Sequence, residues 1–112
     1  MTNATLLARL QALGPLPDAK ASAADDFPLT EFDELVQQLT APLSQEHATA
    51  LIDLGPPPST GCFGVEWTLL HKAELVKAIE LLQQAVAQAA DTEVKRMAES
   101  RLATYFKAQQ AT

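Results

Sequence analysis

The chain has 112 residues, with 14 Asp and Glu against 8 Lys and Arg, for a formal net charge of −6. That length suits one domain, and an apolar fraction of 47% excludes wholesale disorder. Aromatics make up only 5% and Leu and Ala carry the apolar content, which predicts helices over a β-sandwich.

The acidity is concentrated. Residues 1–60 hold 8 acids and 2 bases, whereas residues 61–112 hold 6 of each. Such a balance argues against nucleic acid and against an anionic membrane surface, both of which are bound through Lys and Arg. It suits the steering of a basic protein partner, although acids at helix starts also serve as caps and dipole partners. The one cysteine, Cys62, excludes an internal disulfide and a Cys-based zinc site within one chain and suits a reducing compartment. No basic leader or apolar run of about 18 residues is present, so the expected location is the cytoplasm.

Asn3 to Leu13 is expected to form a helix, because Leu6, Leu7, Leu10 and Leu13 recur at three- and four-residue steps and Gly14-Pro15 ends the run. Residues 14–29, with three prolines and a polar Ala/Asp stretch, read as an extended linker. The division expected is therefore 1–29, an N-terminal arm that is either mobile or docked, and 30–112, a single helical domain. Thr30 is the expected N-cap of the next helix, with Phe32, Leu35, Val36 and Leu39 on its apolar face until Pro42 intervenes. Ser44 should cap a third helix, in which Ala48, Leu51 and Ile52 are buried and which closes at Leu54-Gly55.

The segment Gly55 to Gly64, with three consecutive prolines and three glycines, is a connector or a shaped functional loop, the connector being favoured. Beyond it neither Gly nor Pro recurs. Leu75, Ile79, Leu82 and Val86 form a stripe widened by Leu69, Ala73 and Val76, and the pattern resumes from Val94 to Phe106. An unbroken helix of some 45 residues would run about 65 Å at 1.5 Å per residue, too long for a domain of this size. A hairpin turning near Asp91, with Asp91 as the new N-cap, is therefore expected in preference to one long helix. The resulting fold class is all-α, a small bundle of about four to five helices.

Chemistry-bearing patterns are sparse. The candidate metal ligands His47, Cys62, Glu66 and His71 lack ligand spacing; Glu66 and His71, five apart, point about 140° away from each other on a helix. Cys62 precedes a helix start, where a thiolate can be activated, and could partner a histidine as a nucleophile, but a buried structural thiol is the simpler reading. Adjacent carboxylates such as Asp25-Asp26 and Asp33-Glu34 diverge in direction, and the glycine-rich loop lacks the Lys-Ser/Thr of a phosphate cradle. No cofactor is expected. Trp67 and His71, four apart, share one helical face. They fit a core tryptophan with His71 at the core edge better than an exposed hot spot, although tryptophan is a favoured interface anchor.

The functional expectation is thus a non-enzymatic domain that binds another, basic protein. In its most concrete form it is an immunity (antitoxin-like) protein that blocks a bacterial toxin domain. Asp25, Asp26, Glu31, Asp33, Glu34 and Asp53 would steer the partner, and Trp67, His71 and the 55–64 loop would supply the anchor. The alternatives are a structural or adaptor protein that self-associates as a homodimer through residues 69–106, and, behind it, a small Cys/His enzyme.

Overall fold

Helix α1 (Asn3–Leu13) occupies the expected bounds, and the Thr2 hydroxyl caps it by accepting from the Thr5 amide. The computed structural model describes residues 1–110, apart from the side chains of Ser22 and Ala23. Its leucine stripe is buried: Leu6, Leu7 and Leu10 are at most 3% exposed. Asn3 adds a reciprocal pair, its side-chain amide donating to the Thr40 carbonyl and accepting from the Thr40 amide. The arm is thus docked on the body.

The proline-rich stretch after α1 is strapped down rather than free. Leu16 is buried and its amide donates to the Leu54 carbonyl, and the Ala19 amide donates to the Gly61 carbonyl. A 3-10 turn (Ser22–Asp26) interrupts the linker read from the sequence. Helix α2 (Leu29–Gln37) starts one residue before the expected Thr30 cap and has no side-chain cap. Pro28, with its fixed φ, performs that role, and its carbonyl accepts from the Phe32 amide. Phe32, Leu35 and Val36 face the core as the periodicity demands.

Helix α3 (Gln45–Asp53) begins at the expected Ser44, whose hydroxyl accepts from the His47 amide at 3.1 Å. It is the central helix, packing on α1, α4 (Val65–Ala73), α5 (Ile79–Gln88) and α6 (Glu93–Gln110). Fully buried alanines at positions 48, 73 and 85 let these axes approach closely.

The run from Val65 onward is divided at two places rather than one, which excludes the long helix. The turn near Asp91 is present, between α5 and α6, but the first arm also breaks at 74–78. There the Leu75 carbonyl leaves the helical ladder and accepts from the Leu43 amide at 2.8 Å, and Val76 forms an isolated parallel bridge with Leu43. Leu75 consequently drops out of the expected stripe and is 38% exposed. Lys72 reinforces this corner by donating to the carbonyls of Gln37 and Leu39 at the C-terminal end of α2.

The cap of α6 is Thr92 instead of the expected Asp91. Its buried hydroxyl accepts from the Lys95 amide and also donates to the Ile52 carbonyl. An ionised carboxylate accepts only, so Asp could not fill this two-way position. With six α-helices, no strand among the described residues and one continuous hydrophobic core, the architecture is an all-α bundle. Its Cα radius of gyration of 13.8 Å is close to the roughly 13 Å expected for this length.

Candidate functional site

The loop between α3 and α4 is pinned by carboxylates from the first turns of two helices. Glu93, opening α6, accepts from the Ser59 amide at 2.6 Å, and Glu66, in the first turn of α4, accepts from the Cys62 amide at 2.9 Å. The Arg96 guanidinium donates to the Ser59 hydroxyl, the Thr60 hydroxyl donates to the Pro57 carbonyl, and the Pro56 carbonyl accepts from the Glu93 amide. Connector and shaped loop are therefore the same object: a crossover with a fixed conformation.

That conformation carries a local cost. Phe63 has φ +54° and Gly64 φ +84°, two successive left-handed residues that turn the chain into α4. Glycine adopts this region readily, but a bulky side chain there costs on the order of 1 kcal/mol or more. Burial does not repay it, because Phe63 is 72% exposed. Four residues later Trp67 is 50% exposed, which corrects the expectation of a core tryptophan. The core face of α4 is made by Val65, Leu69, Leu70 and Ala73, and Trp67 lies about 200° around the helix from Leu69. Its ring meets that of His71, centroids 6.2 Å apart and planes at 32°. His71 Nδ1 lies 3.5 Å from a Glu74 carboxylate oxygen, and Glu74 also binds Arg101 of α6. That carboxylate, by its hydrogen bond first and its charge second, holds the Arg101 guanidinium above its ordinary pKa.

The sequence-predicted acids lie elsewhere on the surface. Asp25 and Asp26 are exposed in the 3-10 turn, Glu31 and Glu34 are exposed on α2, and Asp33 is half-buried there. Among the described residues none of these five pairs with a cation, since both ion pairs run through Glu74. Asp53 differs from them: its carboxylate accepts from the Ala90 amide at 2.6 Å and so fixes the α5–α6 turn. The structure brings Trp67 and His71 together, with no hydrogen bond or ion pair joining them to the acids. Phe63 was the residue that sequence reasoning passed over as an individual, since nothing in the sequence marks its left-handed backbone.

Cys62 is buried, and burial first, then the charges of Glu66 and Asp18, push its thiol above the ordinary value. This environment disfavours the thiolate that nucleophilic chemistry would need. Among the described residues no group of three or more His, Cys, Asp or Glu could hold a metal ion, and no helix is long and apolar enough to cross a membrane. No family model, curated protein or solved structure matches the chain.

Proposed function

We propose that the chain is a non-enzymatic protein-binding domain whose partner is basic, most concretely an immunity (antitoxin-like) protein that neutralises a bacterial toxin domain in the cytoplasm. The observation that carries this reading is the outward display of Phe63 and Trp67 on a loop and helix start that are otherwise tightly bonded. Two of the chain's few aromatics are withheld from a core that could use them, one at a backbone cost, and rigid exposed aromatics are typical interface anchors. The acids Asp25, Asp26, Glu31 and Glu34, which pair with no cation among the described residues, supply long-range attraction for a basic surface. His71, its ring tilted against that of Trp67 with centroids 6.2 Å apart, limits the rotamers open to the indole before binding.

The test is affinity purification of the tagged chain from its own cells at low salt, followed by a salt challenge. Retention of one basic protein in stoichiometric amount, released by salt, supports the proposal; recovery of the chain alone overturns it. With that partner in hand, Trp67→Ala is expected to weaken binding by about 2 kcal/mol, roughly thirtyfold. The folded state should be left intact, since the ring is half exposed. Reversing Glu31 and Glu34 to lysine should slow association and flatten its salt dependence. Binding indifferent to both changes would place the interface elsewhere.

A further inference from the structure

The corner where the loop enters α4 carries two exposed rings and one unpartnered carboxylate oxygen. Among the described residues the Phe63 ring faces no other ring and Trp67 has His71 as its sole ring neighbour, so aromatic faces stand open to solvent. Glu66 lies between them in sequence, and its half-buried side chain turns back over the loop. Its Oε1 accepts from the Cys62 amide, one residue before Phe63, and its Oε2 lies 3.0 Å from the place that a Cβ on Gly61 would take. No hydrogen bond or ion pair reaches Oε2 among the described residues, and since none of their buried polar side-chain atoms is unpartnered, this oxygen opens to water. The charge is thus met by one neutral amide and by no cation. Lys20, which shares a cleft with Gly61, forms no ion pair with it; Arg96 donates to the Ser59 hydroxyl, and Lys72 to carbonyls at the end of α2. After burial itself, Glu66 is the stronger of the two charges that raise the Cys62 thiol, so its field is felt within this loop.

We infer that this corner, on the protein-binding reading above, receives an arginine of the basic partner, its guanidinium lying on the Phe63 and Trp67 rings and drawn there by Glu66. An apolar side chain of the partner would cover the rings but strip water from Oε2 without replacing its hydrogen bond, which is costly. A cation satisfies both parts of the corner: the negative faces of the rings attract it, and the carboxylate accepts from it. Of the two cationic side chains that are always charged near neutral pH, arginine fits better. Its guanidinium is planar, so it can lie flat on a ring while its N–H groups donate sideways, and it is more weakly hydrated than an ammonium. The bonded loop favours the same occupant. Glu93 and Glu66 hold the Ser59 and Cys62 amides, so the rings and the carboxylate keep their relation before the partner arrives.

Trp67 is the chain's one tryptophan, so its indole N–H gives a single resonance that reports on this corner. The full chain is titrated at constant ionic strength with three end-blocked tripeptides: Gly-Arg-Gly, Gly-Lys-Gly and the same peptide with citrulline, the uncharged isostere of arginine. The arginine peptide should shift the Trp67 resonance saturably, with a dissociation constant on the order of millimolar, and the citrulline peptide should bind at least about fivefold more weakly. The lysine peptide should fall between them. Glu66→Gln keeps an oxygen for the Cys62 amide and removes the charge, so it should weaken the arginine peptide about threefold with helicity unchanged. The inference is overturned by the absence of a saturable shift, by an arginine peptide no tighter than the citrulline or lysine one, or by an arginine peptide as tight on Glu66→Gln as on the unaltered chain. The titration needs no natural partner, so its failure is distinguishable from that of the reading it rests on. Salt-sensitive capture of a basic protein alongside a silent Trp67 would keep the partner and remove the arginine.

Discussion

Replacing Phe32 by alanine is expected to lower the unfolding free energy by about 3–5 kcal/mol, the range for deleting a buried aromatic ring. The ring is fully buried and sits 5.6 Å from that of Phe27, tilted at 55°. It also forms part of the wall against which α1 ends: a Cβ placed on Gly14 would lie 3.1 Å from Phe32 Cε2 and 2.9 Å from Leu54 Cδ2. One side chain therefore links the end of α1, the segment before α2 and α2 itself. These elements are joined by packing and a few backbone hydrogen bonds, so they have little freedom to collapse into the cavity, and the cost should fall toward the upper part of the range. Against a total of about 5–15 kcal/mol for a domain of this kind, the variant would be marginally folded. Urea unfolding monitored by far-UV circular dichroism measures the loss. The same transition should report the N-terminal arm: α1 is expected to melt together with the body in both proteins, because Leu6, Leu7 and Leu10 share the core with Phe32. A loss below about 1 kcal/mol, or a separate early transition for α1, would contradict that shared core.

How far the fold was legible depended on whether the deciding interaction was local. Helix α1 was readable because its leucines recur with one period up to Gly14-Pro15, and α3 because Ser44 caps it from adjacent sequence and its Leu and Ala spacing has one period. The break at 74–78 was not, because the residues there are ordinary helix formers and the helix ends on a bond to Leu43, more than thirty residues away. The exchange of Asp91 for Thr92 as cap has the same origin: the second bond of the Thr92 hydroxyl goes to Ile52. Trp67 illustrates a different kind of miss. Its angular distance from Leu69 already placed it on the outer face of α4, and that angle, rather than the expectation of a core tryptophan, decided its place. Its pairing with His71 was legible from the four-residue spacing, whereas the exposed, left-handed Phe63 was not, since no sequence pattern announces a positive φ at an aromatic residue.

Two glycine-to-alanine substitutions, one at each end of the same loop, should separate packing from backbone conformation. At Gly55 the added Cβ would lie 2.6 Å from Val94 Cγ2 and 3.0 Å from both Val94 Cβ and Thr92 Oγ1. Neither neighbour can yield cheaply. Val94 is fully buried at the start of α6, and Thr92 is held by its bonds to Ile52 and Lys95. Gly55→Ala is therefore expected to cost about 1–3 kcal/mol by overpacking. At Gly64 a Cβ would meet nothing within 4 Å, but the φ of +84° is one that side-chain-bearing residues rarely adopt. Gly64→Ala should cost on the order of 1 kcal/mol through backbone strain alone. Trimming the obstacle distinguishes the two mechanisms. Val94→Ala leaves a cavity by itself, but combined with Gly55→Ala the new methyl occupies the space vacated, so the pair should be less destabilised than the two single losses predict together. The same Val94→Ala should be additive with Gly64→Ala, because the two sites share no contact. Thermal unfolding of the five variants closes both cycles. Additivity in the Gly55 cycle would mean that α6 moves away from the loop to admit the methyl. That movement would slacken the Glu93–Ser59 bond and, with it, the fixed presentation of Phe63 on which the proposed interface depends.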